Sequence, residues 1–246
     1  MPDCAFCNHS AKLSAEHIIS EWIVNLFKGP NTAKLTNIQG EVTEWNPPKL
    51  DFKARVVCKS CNETWMSDIE SKHAKPIMGP LIRGEARIPI SQSSARSLAI
   101  FAFKTAVVVD HAQRRPQGPF FSRRIRHAFR SKLTIPPSVN MWMCTYTPGQ
   151  IRMDVRADYL NSKGDSTAAY PLHAYVCTVG IGFFAFQVVL AKSPYPPRFA
   201  PLPGFENISV PLWPTVLPGF VWPIPGLRSS NDFIAYANRW REISHF

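Results

Sequence analysis

The sequence predicts an α+β fold in two parts, residues 1–82 and 83–246, and three observations carry that reading. Four of the six cysteines form two matched pairs in the first third, Cys4-x-x-Cys7 and Cys58-x-x-Cys61. Near Arg83 the charge balance and the hydrophobic texture both change. Beyond one very apolar helical stretch, the run from Tyr175 to Ala191 is rich in β-branched and aromatic residues around Gly180 and Gly182 and reads as two buried strands or one bent strand pair. At 246 residues and 45% hydrophobic, it can bury one large core or two modest ones.

The first element is the Cys4–Cys7 turn. A Cys-x-x-Cys pair on a tight turn can aim two thiolates at one Zn²⁺ about 2.3 Å away, and Cys58 with Cys61 would complete a tetrahedral cage. Four protein ligands leave no open position, so such a zinc holds the fold and does no chemistry. Two disulfides, or a redox pair with a chance second pair, are the alternatives. No signal peptide precedes Cys4 and the start is polar, so a reducing, cytoplasmic setting is expected and favours metal. Cys144 and Cys177 sit in apolar runs and read as buried thiols.

A short strand then carries Glu16-His17-Ile18. Ser20 can cap a helix reaching about Phe27, with Trp22, Ile23 and Leu26 inward, and Gly29-Pro30-Asn31 stops it. Residues 31–54 read as loop and short strands broken at Asn46-Pro47-Pro48. Phe52 to Val57 forms a strand into the second cysteine pair. Asn62 is predicted to open a helix to about His73, with Trp65, Ile69 and the Lys72 stem on one side.

In the second part, Ser91 or Ser93 caps a helix from Ala95 to about Asp110, apolar on all sides and therefore central. The net charge of +11 is concentrated here: residues 1–82 carry nine Lys/Arg against nine Asp/Glu, residues 83–135 eleven against two, and the remainder eight against six. A basic helix follows, with Phe121, Ile125 and Phe129 as an apolar stripe and arginines fanned around it. Arg114, Arg115, Arg123, Arg124, Arg126 and Arg130 are the candidate phosphate contacts, because guanidinium forks match phosphate geometry. Strands are expected near Val139–Tyr146, Gln150–Val155 and Tyr170–Lys192. The Pro-rich stretch 194–227 should run as extended edge segments. Ser230 caps a last helix with Phe233, Ala237 and Trp240 inward. No run of about 18 apolar residues suggests a membrane span.

Three side chains near the cysteines carry the candidate chemistry. The carboxylate of Glu16 and the carboxamide oxygen of Asn62 are hard ligands suited to Mg²⁺ or Mn²⁺. His17 beside them offers an imidazole, the side chain most often used to take a proton from an attacking water. Glu70 and His73 lie too far along the helix to reach that metal, although Glu70 can pair with the basic segment. Cys-x-x-Cys, an acidic-His-Ile step and Cys-x-x-Cys-Asn together resemble the zinc-stapled HNH endonucleases. The stretch Cys58 to Glu70 looks like a bacterial variant with a Trp-Met pair in its helix. The resemblance covers residues 1–80, about a third of the chain.

That resemblance implies an N-terminal ββα-metal domain; the larger α+β domain that follows, with its apolar central helix and antiparallel strands, is read from the hydrophobic pattern. The resemblance also implies His17 as general base, Glu16 and Asn62 as ligands of a catalytic divalent ion, and Cys4, Cys7, Cys58 and Cys61 as ligands of a structural zinc. Two departures stand out. Ser20 occupies a place where the family often has proline. The family's middle asparagine is replaced by the Phe52-Lys53-Ala54 neighbourhood, so that its role would fall to Asn46, Asp51 or a backbone carbonyl. DNA hydrolysis is the leading expectation, with RNA as a variant substrate; a monomer would nick and a homodimer would make double-strand breaks. The competing readings are a zinc-stabilised nucleic-acid-binding protein without catalysis and a toxin or defence effector gated by a regulatory partner. Target specificity and oligomeric state are not encoded in any motif.

Overall fold

A computed structural model describes residues 3–7, 9–27, 32–36, 42–45, 53–113, 115–147, 149, 151–161, 173–192, 204–214 and 217–238. The elements are β1 (Leu13–His17), α1 (Glu21–Val24), β2 (Thr32–Thr36), β3 (Val42–Trp45), β4 (Lys53–Cys58) and α2 (Lys59–Cys61). Two π-helical segments, Asn62–Met66 and Ile69–Ala74, lead into α3 (Lys75–Arg83). Next come β5 (Ile88–Ser91), α4 (Gln92–Ala112), α5 (Arg123–Lys132), β6 (Val139–Tyr146), β7 (Ile151–Asn161), β8 (His173–Ile181) and β9 (Phe184–Lys192). The chain closes with β10 (Val210–Trp213), β11 (Gly219–Trp222), β12 (Gly226–Leu227) and α6 (Ser230–Asn238). The architecture is mixed α+β, with a cysteine cluster near the N-terminus that can bind a metal.

Helix α4 is the organising element. Ser91 caps it by accepting from the Ser94 amide, and the helix is buried almost continuously from Leu98 to Asp110. A helix that hides every face needs neighbours all round. The large sheet lies on one side, where Phe101 meets Phe186 edge-to-face at 6.5 Å and the Tyr175 hydroxyl donates to the Ala106 carbonyl. On others lie β4, β5 and the second π-helical segment.

The large sheet has the order β10-β6-β9-β8-β7-β2-β3, with β12 added parallel to β6. Its far face is covered by α6, whose Phe233 packs 5.1 Å from Tyr146. Local pattern did not reveal that β2 and β3, which lie between the two cysteine pairs, would extend this sheet. Strand β2 runs parallel to β7, with Leu35 opposite Val155. One hydrophobic core accordingly runs from Cys4 and Phe6 through α4 to Phe186 and Trp222.

A second junction ties the halves together. Gly182, at φ +53°, turns β8 into β9, and the adjacent Phe183 amide donates to the Ile82 carbonyl at 3.0 Å. A Cβ at Gly182 would sit 2.4 Å from that carbonyl oxygen, so only glycine fits both the turn and the approach.

Other expectations meet specific changes. Asn62 does not open its helix: Cys58, in extended conformation, is the N-cap, and Asn62 sits one turn inside at φ −64°, ψ −52°. The helical run continues past His73 to Arg83 because its π-helical turns keep Met66, Ile69 and Ala74 buried. At the last helix it is Ser229, rather than Ser230, that accepts from the Asp232 amide. Trp240 lies outside the described residues. No helix is long and apolar enough to cross a membrane.

Candidate metal centre and its surroundings

The first cysteine turn is closed at its base. Asp3 and Ser10 form a β-bridge, the Ser10 hydroxyl donates to Asp3 Oδ1 at 2.6 Å, and the Cys4 amide donates to the His9 carbonyl. The Ala5 amide donates to the Val56 carbonyl at 2.8 Å, which seats the turn on β4 just before Cys58. Cys58 ends β4 and Cys61 lies on α2, so strand, turn and helix bring four buried thiols together.

The four sulfurs lie within 4.8 Å of one another, and Cys7 Sγ is 3.7 Å from Cys58 Sγ. Tetrahedral zinc with sulfurs at about 2.3 Å requires neighbouring sulfurs about 3.8 Å apart. The cluster fits that spacing with modest contraction, and an all-thiolate donor set suits a soft-tolerant ion, so it can hold a structural metal such as zinc. None of the six cysteines is disulfide-bonded. The Cys4 thiol is lowered to about 4, first by the hydrogen bond from Cys61 and then by the amides of Cys7, Cys58 and Phe6, against the opposing effect of burial. Cys61 is raised in turn, chiefly by that same hydrogen bond, while burial raises Cys7. Among the described residues this is the one group of three or more Cys, His, Asp or Glu side chains placed to share a metal.

Beside the cage, β1 and β4 pair antiparallel and the helical run follows directly. A β-bulge sets two residues of β4 against Ala15, so that Glu16 pairs with Ala54 and His17 with Lys53. His17 is half-buried at the strand end. The Glu16 side chain lies outside the described residues, as do Asn46, Asp51, Phe52 and Arg114. Asn62 reaches back to β1, its Nδ2 lying 3.5 Å from Ser14 Oγ, and Ser14 Oγ donates to the Val57 carbonyl at 3.0 Å. Inside the π-helical segment that Asn62 begins, Thr64 leaves helical geometry at φ −107°, ψ −105°. Such π-type insertions are frequent at functional sites.

The basic residues divide by environment. Arg123, Arg124 and Arg130 are exposed on α5. Arg126 is buried: its Nε donates to the Phe121 carbonyl at 3.0 Å, and Nη1 donates to the Ala5 carbonyl inside the first cysteine turn. Its guanidinium therefore braces the cage. Phe129, one turn on, packs against Trp65 at 5.9 Å and Phe103 at 4.7 Å. His127 is held below its ordinary pKa by burial and then by Arg123, Arg126, Arg130 and His9, which records how much positive charge gathers around it. The Arg115 guanidinium carbon lies over the Tyr159 ring, 3.6 Å from its centroid.

Sequence reasoning missed two buried acids. Asp110 accepts from the Phe120 and Phe121 amides and, at 2.5 Å, from the Tyr159 hydroxyl; burial raises its pKa. Asp154, 1% exposed, has neither carboxylate oxygen hydrogen-bonded and sits 3.6 Å from Arg156 Nε. A single acid near the end of an apolar helix, as at Asp110, or within a strand, as at Asp154, gives no warning of either. No protein-family model, curated protein or solved structure matches this chain.

Proposed function

We propose that this chain is a metal-dependent HNH-type endonuclease that hydrolyses phosphodiester bonds in DNA. The observation that carries the reading is the contact of Asn62 with Ser14, made across two antiparallel strands and a helix stapled by four cysteines. It brings the second turn of the helical run onto the strand that holds Glu16 and His17. With Nδ2 turned to Ser14, the side-chain Oδ1 of Asn62 has no partner among the described residues and is free to serve as a hard ligand. Glu16 would supply the charged ligand. A divalent Mg²⁺ or Mn²⁺ held by the pair would polarise the scissile phosphate and neutralise the leaving oxygen. His17 takes the proton from the water that attacks in line, and the exposed Arg123, Arg124 and Arg130 hold the backbone against α5.

The test is cleavage of supercoiled plasmid with Mg²⁺ or Mn²⁺ beside His17→Ala. Loss of a general base costs about 10²- to 10⁴-fold, so the variant should show no visible nicking while keeping zinc content and DNA affinity. Equal cutting by both proteins would refute His17 as base. A zinc-stapled nucleic-acid-binding protein without catalysis is the second reading, supported by the four-cysteine cluster together with the exposed Arg123, Arg124 and Arg130 on α5. It requires DNA affinity that is indifferent to Mg²⁺ and no cutting of DNA or RNA.

A further inference from the structure

Away from the cysteine cage, two cations share one aromatic surface. Arg115 lies 3.6 Å from the Tyr159 centroid and 5.9 Å from that of Phe120, and Lys192 Nζ stands 4.1 Å from the Phe120 centroid. Neither cation makes a hydrogen bond or ion pair with another described residue. The acid beneath them, Asp110, is engaged with the Phe120 and Phe121 amides and the Tyr159 hydroxyl. Whether Asp110 is ionised or neutral, the group keeps at least one net positive charge.

A guanidinium stacked on a ring leaves its N–H edge pointing outward in the plane, which is the geometry that forks onto two oxygens of a phosphate. Holding a second cation on the same patch costs repulsion that a bound anion would relieve. We infer that Arg115 and Lys192 form a subsite for a backbone phosphodiester of nucleic acid, with Arg115 as the fork and Lys192 as the point charge. This rests on the nucleic-acid reading above. In the chain the subsite is joined by Phe120-Phe121-Ser122 to Arg123 at the start of α5, and Lys192 closes β9. Lys192 is thereby added to the binding residues, and Arg115 acquires a defined role.

The experiment is fluorescence anisotropy of a labelled 20-base-pair duplex with the full chain, without divalent metal, over a series of salt concentrations. The parent is compared with Arg115→Ala, Arg115→Lys, Lys192→Ala and Arg123→Ala. Each lost phosphate contact should lower the slope of log affinity against log salt by about 0.9. The two alanine variants at the subsite should each show that loss, and Arg115→Lys should keep the slope but bind more weakly than the parent because it cannot fork. If both alanine variants match the parent in affinity and slope while Arg123→Ala weakens binding, the subsite is wrong and the nucleic-acid reading stands. If the parent itself does not bind the duplex, that reading fails and the subsite falls with it. Lys192→Ala, at an exposed strand end, keeps the test decisive should Arg115→Ala fail to fold.

Discussion

Lys104 and Glu70 form a buried ion pair at 2.5 Å, joining the central helix to the helical run that carries Asn62, with no part of the lysine side chain exposed. Removing one partner of such a pair leaves an uncompensated charge and costs about 3–5 kcal/mol, whereas replacing both by apolar residues is often neutral. Glu70→Leu alone, which strands the fully buried Lys104 ammonium, should therefore lower the urea midpoint strongly, and Glu70→Leu with Lys104→Met should recover most of the loss. Additive losses in that double-mutant cycle would show that the pair is not coupled.

Cys61→Ser removes one corner of the cage, and Cys144→Ser alters a buried thiol on β6. Only the first should lower bound zinc, measured by elemental analysis, from one ion per chain. It should also expose the β1–β4 region to amide exchange, because metal binding and local folding are linked at such sites. Equal zinc in both variants would sink the four-thiolate assignment.

Arg126 and Arg123 are neighbours on α5 with opposite environments. Charged hydrogen bonds contribute about 1.5–3 kcal/mol each, so Arg126→Met should destabilise the fold by at least about 2 kcal/mol. Arg123→Ala should leave stability within about 0.5 kcal/mol, as exposed substitutions do, and act on nucleic-acid affinity instead. Denaturant unfolding beside duplex binding separates the two.

Asp154 should impose a pH dependence on stability. Burial, opposed by Arg156 and Lys34 and aided by Glu44, raises its pKa from 3.8 to about 6. Between those values the folded chain binds more protons than the unfolded chain, so stability declines as pH rises through the window and levels off above it. The decline is about 3 kcal/mol by linkage. Asp154→Asn should lose this component, making the variant gain on the parent between pH 4 and pH 6.5; parallel pH profiles would contradict it.

The sequence was most legible where chemistry or continuous burial speaks locally. The paired cysteines, the Ser91-capped α4 and the β8–β9 pair all follow from short-range pattern. Less legible were features set by distant partners. Arg126 is read as a phosphate contact from its neighbours, but its environment is decided by the Ala5 carbonyl, 121 residues away. Glu70 is expected to pair with the basic segment, and it does so with Lys104 rather than with α5. The parallel pairing of Thr32–Thr36 with β7 leaves no periodic trace in five residues of mixed polarity.

The turn at Gly182, resting on the Ile82 carbonyl, bears on how this chain could be divided or borrowed. A fragment ending after α3 would leave behind the hairpin tip it leans on, the strand that flanks β2 and the helix that covers its inner face. Its cysteine cage is not a portable cassette: transplanted alone it would arrive with a bare apolar underside, and a chimera would have to import α4 and β7 along with it.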